Sequence, residues 1–300
     1  MPPSAHPGGE APGATVSIAP ALAKINLYLH VVGRRADGYH LLDSLVAFAA
    51  DGDRVVAHPH ATLTLLVEGP FAEALANEPD NLVLRAARAL AAETNTAQGA
   101  AFTLYKNLPV ASGIGGGSAD AAAALTALSG VWHLPHDFEM LQKVARQLGA
   151  DVPVCLYRRP AFLGGIGEEL EPAPALPAAG LVLVNPGIPL STPTVFAQRS
   201  GPFSQPSRFA AAPRDAAALA AVLRERRNDL TEAAVALVPA IRDVLAALEG
   251  SRHCLLARMS GSGATCFGLY ADRDAAERAA AALAAKAPGW WVLPTSLLAE

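Results

Sequence analysis

The residues best placed to do chemistry begin at positions 108–124, where Gly113, Gly115, Gly116 and Gly117 precede an alanine-rich run headed by Ser118. Glycine takes positive φ freely and adds no side chain, so successive backbone N–H groups can converge on one point. Ser118 reads as a helix N-cap, Asp120 as a first-turn carboxylate and Gly130 as the helix end. A glycine loop feeding a helix N-terminus is an anion site, because N–H donors and the positive end of the helix dipole coincide. The anion that suits this loop is the phosphate chain of a nucleotide. A plain strand-to-helix turn needs one glycine rather than four. A Walker loop requires Gly-Lys-Ser/Thr, and a dinucleotide fingerprint requires glycine where Ser118 stands, so neither describes this stretch.

Three other places carry candidates. Lys24 and Asn26 are two apart in an apolar stretch and share one face of a strand, with Ile25, Leu27 and Leu29 on the other. Asp37-Gly38 is a turn signal that leaves Tyr39 and His40 just beyond it, an aromatic face beside a polar ring. Asp151 lies between a helix-ending Gly149 and the apolar Val152-Pro153-Val154, where a carboxylate has no obvious structural use beyond a cap or turn. Lys106, close to the glycine loop, reads as a solvated strand lysine.

The elements that must position these groups follow from periodicity. Residues 16–32 predict one long bent strand or a strand pair, and 47–67 further strands turning at Asp51-Gly52 and around Pro59. A helix runs from Asp80 or Asn81 to about Glu93, a strand over 102–108 delivers the glycine loop, and Asp137 caps a helix that ends at Gly149. The Gly164, Gly165 and Gly167 cluster reads as a hairpin or bulge. Pro172, Pro174 and Pro177 mark a linker. Beyond it come a buried strand at 181–185, an irregular loop at 201–213 and helices at about 215–226, 229–237 and 240–249. Strands at 254–259 and 265–270 flank Gly261-Ser262-Gly263, followed by a helix at 273–286 and a strand at 290–294. The expected fold is α+β in two domains. A mixed-sheet nucleotide domain spans 15–172, a ferredoxin-like domain spans 178–300, and residues 1–14 form a loose tail.

Composition sets bounds. The chain has 300 residues, 52% of them hydrophobic and 17% charged, enough apolar material for a large core. A net charge of −4 argues against a nucleic-acid partner. The 3 cysteines are widely spaced and form no zinc pattern or disulfide framework, which suits a cytoplasmic protein. No apolar run has the length of a membrane span. Whether the chain is a monomer or a homodimer is open at this stage.

Segments spread in order along the chain resemble the GHMP kinase superfamily, named for galactokinase, homoserine kinase, mevalonate kinase and phosphomevalonate kinase. They are similar in particular to its diphosphocytidyl-methylerythritol kinase branch. Ala23-Lys24-Ile25-Asn26-Leu27 resembles the first motif, and Gly33 through His40 the segment after it. Gly115-Gly116-Gly117-Ser118-Ala119-Asp120 resembles the second motif, and Gly149-Ala150-Asp151-Val152-Pro153 the catalytic-aspartate segment. Asn185-Pro186-Gly187, Thr192-Pro193-Thr194 and Asn228-Asp229-Leu230 also match, and Met259 through Thr265 resembles the third motif. Leu22 replaces the family's usual proline and Ala119 its usual second serine, leaving Ser118 as the hydroxyl near the phosphates.

The resemblance implies ATP-dependent phosphorylation of the 2-hydroxyl of a cytidine-diphosphate small molecule on the non-mevalonate route to isoprenoids. Asp151 would take the hydroxyl proton and Lys24 would neutralise charge. The triphosphate cradle would be Pro109, Val110, Ala111, Ser112, Gly113, Ile114, Gly115, Gly116, Gly117, Ser118 and Ala119. Tyr39 and Phe196 would sandwich cytosine, with His40 on its edge. Asn26, Thr194, Gly261, Ser262 and Gly263 would hold the rest of the substrate. Magnesium is expected with ATP, with its protein ligands unassigned. The alternatives are another small-molecule kinase of the superfamily, of homoserine or mevalonate type, and a non-catalytic ligand-binding protein on the same fold.

Overall fold

The structure, a computed structural model, describes residues 15–298 apart from 77, 79 and 136, so the tail expected over 1–14 lies outside the described residues. Two long strands, β1 (Ser17–Arg34) and β2 (His40–His60), pair antiparallel around the Asp37-Gly38 turn. β3 (Thr64–Glu68), β4 (Gly99–Tyr105), β5 (Ala161–Gly164) and β6 (Glu169–Pro172) complete a mixed sheet of order β3-β4-β2-β5-β6, with β1 on β2. Among the described strands of this sheet, β3 and β4 pair parallel and the other pairs are antiparallel. One face is covered by α1 (Leu82–Thr94), α2 (Gly116–Val131), α3 (Phe138–Leu148) and α4 (Val152–Tyr157). Asn81 and Asp137 cap α1 and α3 through their side chains, as their types and spacing predict.

Three local expectations are corrected. Asp51-Gly52 is not a turn: β2 continues through it, with an irregularity in its ladder with β1 between Phe48 and Gly52. The strand ends at His60, so the break expected around Pro59 falls just beyond that residue. Glycine stands at 52 because β1 passes so close that a Cβ would fall 2.2 Å from the Ala21 carbonyl oxygen. Ser118 does not cap α2. The helix begins two residues earlier, with Gly115 in left-handed conformation (φ 66°) at the N-cap. The segment after Asp151 is not a strand but the short helix α4, in which Pro153 occupies the first turn, where a missing N–H does no harm.

The second half is a four-stranded antiparallel sheet of β7 (Gly180–Asn185), β8 (Leu256–Met259), β9 (Cys266–Tyr270) and β10 (Trp291–Ser296). Its order, β10-β7-β9-β8, is the ferredoxin-like arrangement. α5 (Thr192–Gln198), α6 (Ala216–Arg224), α7 (Thr231–Leu237) and α8 (Ala240–Glu249) lie between β7 and β8, and α9 (Arg273–Lys286) between β9 and β10. β7 is apolar on both faces for a reason. Val182 and Val184 pack with α8 and α9, while Leu181 and Leu183 pack with α6 and with Ala23, Ile25 and Leu27 of β1. This second cluster is a continuous seam between the two sheets. Burying a large apolar side chain contributes about 1.5–3 kcal/mol, so the seam holds the halves as one packed body. The C-terminal segment closes it, with Leu297 N–H donating to Ala179 and Leu298 N–H to Phe48.

Candidate active site

β1 carries Lys24 and Asn26 between two irregularities in its ladder with β2, one between Leu22 and Lys24 and one between Asn26 and Tyr28. Such bulges re-aim side chains. Here Lys24 Nζ donates to Asn26 Oδ1 at 3.0 Å and to Asp151 Oδ2 at 2.9 Å. Asp151 sits at the N-cap of α4 without using its side chain as a cap. Its carboxylate is about a third exposed, whereas the Lys24 side chain is buried. Asn26 is held at both ends, since its amide nitrogen donates to Ser44 Oγ and its backbone N–H to Ser260 Oγ. In this structure Asn26 fixes Lys24.

The glycine loop is locked by its carbonyls. Those of Ala111, Ser112, Gly113 and Ile114 accept from Leu190 N–H, Thr265 N–H, Ser260 Oγ and Lys24 N–H respectively. Three of these donors come from the second half of the chain. Gly113 and Gly261 face each other so closely that a Cβ on either would lie 2.6 Å from backbone oxygen of the other loop. Asn228 braces the Gly261 side, donating to the Met259 and Gly261 carbonyls. The glycines also protect other groups than the sequence implied. A Cβ at Gly115 would press on the Lys24 stem at 3.2 Å, and one at Gly116 on Lys106 Nζ at 3.1 Å.

Lys106 is not solvated. It is buried between Asp53 Oδ2, at 2.5 Å, and Asp120 Oδ2, at 2.7 Å. Asp53 Oδ1 also receives the N–H groups of Asn107 and Leu108, so this triad fixes the start of the loop. Asp120 is therefore not a first-turn charge: α2 starts at Gly116, and Asp120 lies beyond the first turn, buried. Burial outweighs Lys106 and pushes its carboxyl up to about 7, while the two carboxylates raise Lys106.

These elements surround a cavity of about 1040 Å³. Lys24, Asn26, Asp151, Tyr39, His40, Phe196, Gly261 and Ser262 line it, as do Pro109, Val110, Ala111, Ser112, Gly113, Gly115, Gly116, Gly117 and Ser118. Four expected residues do not line it. Ile114 and Ala119 point into core clusters. Gly263 is packed behind, against Met259, Ile241 and Leu190. Thr194 lies on an exposed face of α5, and the threonine lining the cavity is Thr192, whose hydroxyl bonds Ser262 Oγ at 2.7 Å. The ring lying on Phe196 is that of His40, with centroids 5.3 Å apart and planes at 24°, while Tyr39 is 61% exposed at the rim. Burial, then Arg34 and Arg199, lower the His40 pKa, which keeps the ring neutral near pH 7.

Known proteins resemble this chain in sequence and fold. Residues 81–159 match the GHMP kinases N terminal domain, and residues 209–289 match the GHMP kinases C terminal region. The chain belongs to the GHMP kinases. A 4-diphosphocytidyl-2-C-methyl-D-erythritol kinase from Paramagnetospirillum magneticum is 56% identical over 278 residues, covering 93% of this chain and 97% of that one. A crystal structure of 4-(cytidine 5'-diphospho)-2C-methyl-D-erythritol kinase is similar with a TM-score of 0.74 at 35% identity, covering 95% of this chain and 100% of the other. A homoserine kinase from Cytophaga hutchinsonii shares the fold, with a TM-score of 0.72 at 15% identity over 99% and 98% of the two chains. Phosphoryl transfer in general depends on positioning and charge neutralisation, and residues of the types that supply both line this cavity.

Proposed function

We infer that this chain is an ATP-dependent kinase that phosphorylates the 2-hydroxyl of 4-diphosphocytidyl-2-C-methyl-D-erythritol, a step in non-mevalonate isoprenoid precursor synthesis. The observation that carries this reading is the Lys24–Asp151 pair, set in one cavity with the glycine loop and with the His40–Phe196 stack. We assign residues 15–172 to the nucleotide domain and 178–300 to its partner. The substrate is a small molecule, and among the described residues no helix is long and apolar enough to cross a membrane.

In the mechanism we propose, Asp151 accepts the proton of the substrate hydroxyl as that oxygen attacks the terminal phosphorus of ATP. The bond from that phosphorus to its bridging oxygen breaks, and ADP leaves. Lys24 has three N–H donors; Asp151 and Asn26 take two, and the third offsets charge on the transferring phosphoryl. Backbone N–H groups of the loop and the N-terminus of α2 hold the remaining phosphates. Magnesium suits the donors present. Asp120 Oδ1 is buried without a hydrogen-bond partner among the described residues, and both Asp120 and Ser118 line the cavity. Magnesium with ATP needs only one or two protein ligands, and it would neutralise phosphate charge.

The direct test is phosphorylation of the cytidine-diphosphate substrate compared with homoserine and mevalonate. Turnover of the first alone is expected, and comparable kcat/KM for either of the others would overturn the reading. The cytosine assignment has its own test. Stacking a base on an aromatic ring contributes about 1–3 kcal/mol, so Phe196→Ala should raise the substrate KM about tenfold or more and leave the ATP KM unchanged. His40→Ala should weaken discrimination between cytidine and uridine substrates, because a site that hydrogen-bonds one base edge leaves groups unpaired on the other. Equal losses for ATP and substrate, with a fall in melting temperature, would instead mean that both rings serve packing.

A further inference from the structure

The cavity proposed to take two polyphosphate ligands is lined by few side-chain cations, and most of these are already paired. Its lining cations are Lys24, Arg34 and Lys106. Lys24 is paired with Asp151, and Lys106 with both Asp53 and Asp120. Among the described residues Arg34 forms no ion pair, since the nearby Asp37 is held by Arg35 at 2.7 Å. Arg199, also near His40, does not line the cavity; its guanidinium donates to the Gly201 and Pro202 carbonyls and lies over Phe203.

Arg34 is held in a defined pose. It ends β1, and its Nε donates to the Gly38 carbonyl at 3.0 Å across the turn that presents Tyr39 and His40. That bond orients the guanidinium across the turn, and both Nη groups have no acceptor among the described residues. The charge stands close enough to His40 to disfavour imidazolium there. A planar fork of N–H donors beside a neutral, stacked ring has the features that recognise a phosphate attached to a nucleoside.

We propose that Arg34 binds the diphosphate of the cytidine substrate and makes the site selective for a nucleoside diphosphate over the bare nucleoside. This rests on the cytidine reading above. Arg34 is exposed and outside the hydrophobic cores, so replacing it leaves the fold intact.

The test is calorimetric titration of cytidine and of CDP into the wild type, Arg34→Gln and Arg34→Lys, with ATP KM and melting temperature measured alongside. The wild type is expected to bind CDP more tightly than cytidine. Arg34→Gln should lose CDP affinity by about 10–100-fold, the scale of a charge-assisted hydrogen bond, with cytidine affinity, ATP KM and melting temperature unchanged. Arg34→Lys should recover part of the loss, because it restores the charge without the fork. CDP affinity unchanged in Arg34→Gln, equal losses for cytidine and CDP, or a rise in ATP KM instead would each overturn the assignment. A wild type that binds CDP no better than cytidine overturns it as well. A wild type that binds neither overturns the cytidine reading itself, and this assignment falls with it.

Discussion

Asp151→Asn is expected to bind both substrates and to lose turnover by about 10²–10⁴-fold, the usual worth of a positioned general base. The amide keeps the size of the carboxylate and can still accept from Lys24, so binding should survive while proton acceptance does not. Lys24→Met should also lose turnover, because it removes the cation and frees Asn26 from its place between Lys24 and Ser44. The double variant should be little worse than either single one, since residues acting as a unit are non-additive. The measurements are kcat and both KM values for the three variants. Near-normal kcat in Asp151→Asn would remove the aspartate from the chemistry, and strictly multiplicative losses would show that the two groups act separately.

The largest expected effect on stability is at Lys106. Lys106→Met leaves Asp53 and Asp120 facing each other in the core with no cation between them. Breaking a buried ion pair from one side typically costs about 3–5 kcal/mol, which corresponds to a fall in melting temperature on the order of 10 °C. Combining Lys106→Met with Asp53→Asn and Asp120→Asn removes the buried charge altogether and should recover most of that loss. The amide introduced by Asp53→Asn could still accept from the Asn107 and Leu108 N–H groups through its carbonyl. Melting curves for the single and triple variants decide it. A single variant as stable as the wild type would mean that the triad is solvated in solution.

Much of this site was legible because its signals are local. Four glycines in five positions, a lysine and an asparagine two apart, and a capped helix ending at Gly149 each declare their geometry within a few residues. The Lys106 triad was not legible, because its partners lie 53 and 14 residues away and only the fold brings them together. One signal was available: Asp120 is a lone carboxylate amid Ala119, Ala121, Ala122, Ala123 and Ala124, and a buried helix face does not keep such a charge without a partner. Gly52 misled because Asp-Gly favours turns, yet here the glycine answers the close approach of β1 across the sheet. α4 is six residues long, too short for periodicity to separate helix from strand. The resemblance implied Thr194, but the phase of α5 decides which of two threonines two apart lines the cavity, and it is Thr192.

The carbonyl locks on the glycine loop bear on how the protein comes into being. Domains generally fold as units during synthesis, N-terminal first. The first sheet of this chain and its helices can form while the rest is still being made. The loop they carry cannot settle then, because its acceptors wait for Leu190, Ser260 and Thr265. In a nascent chain the carbonyls of Ala111, Ser112 and Gly113 therefore lack these donors, and the loop takes its final shape only once the β8–β9 turn has been made.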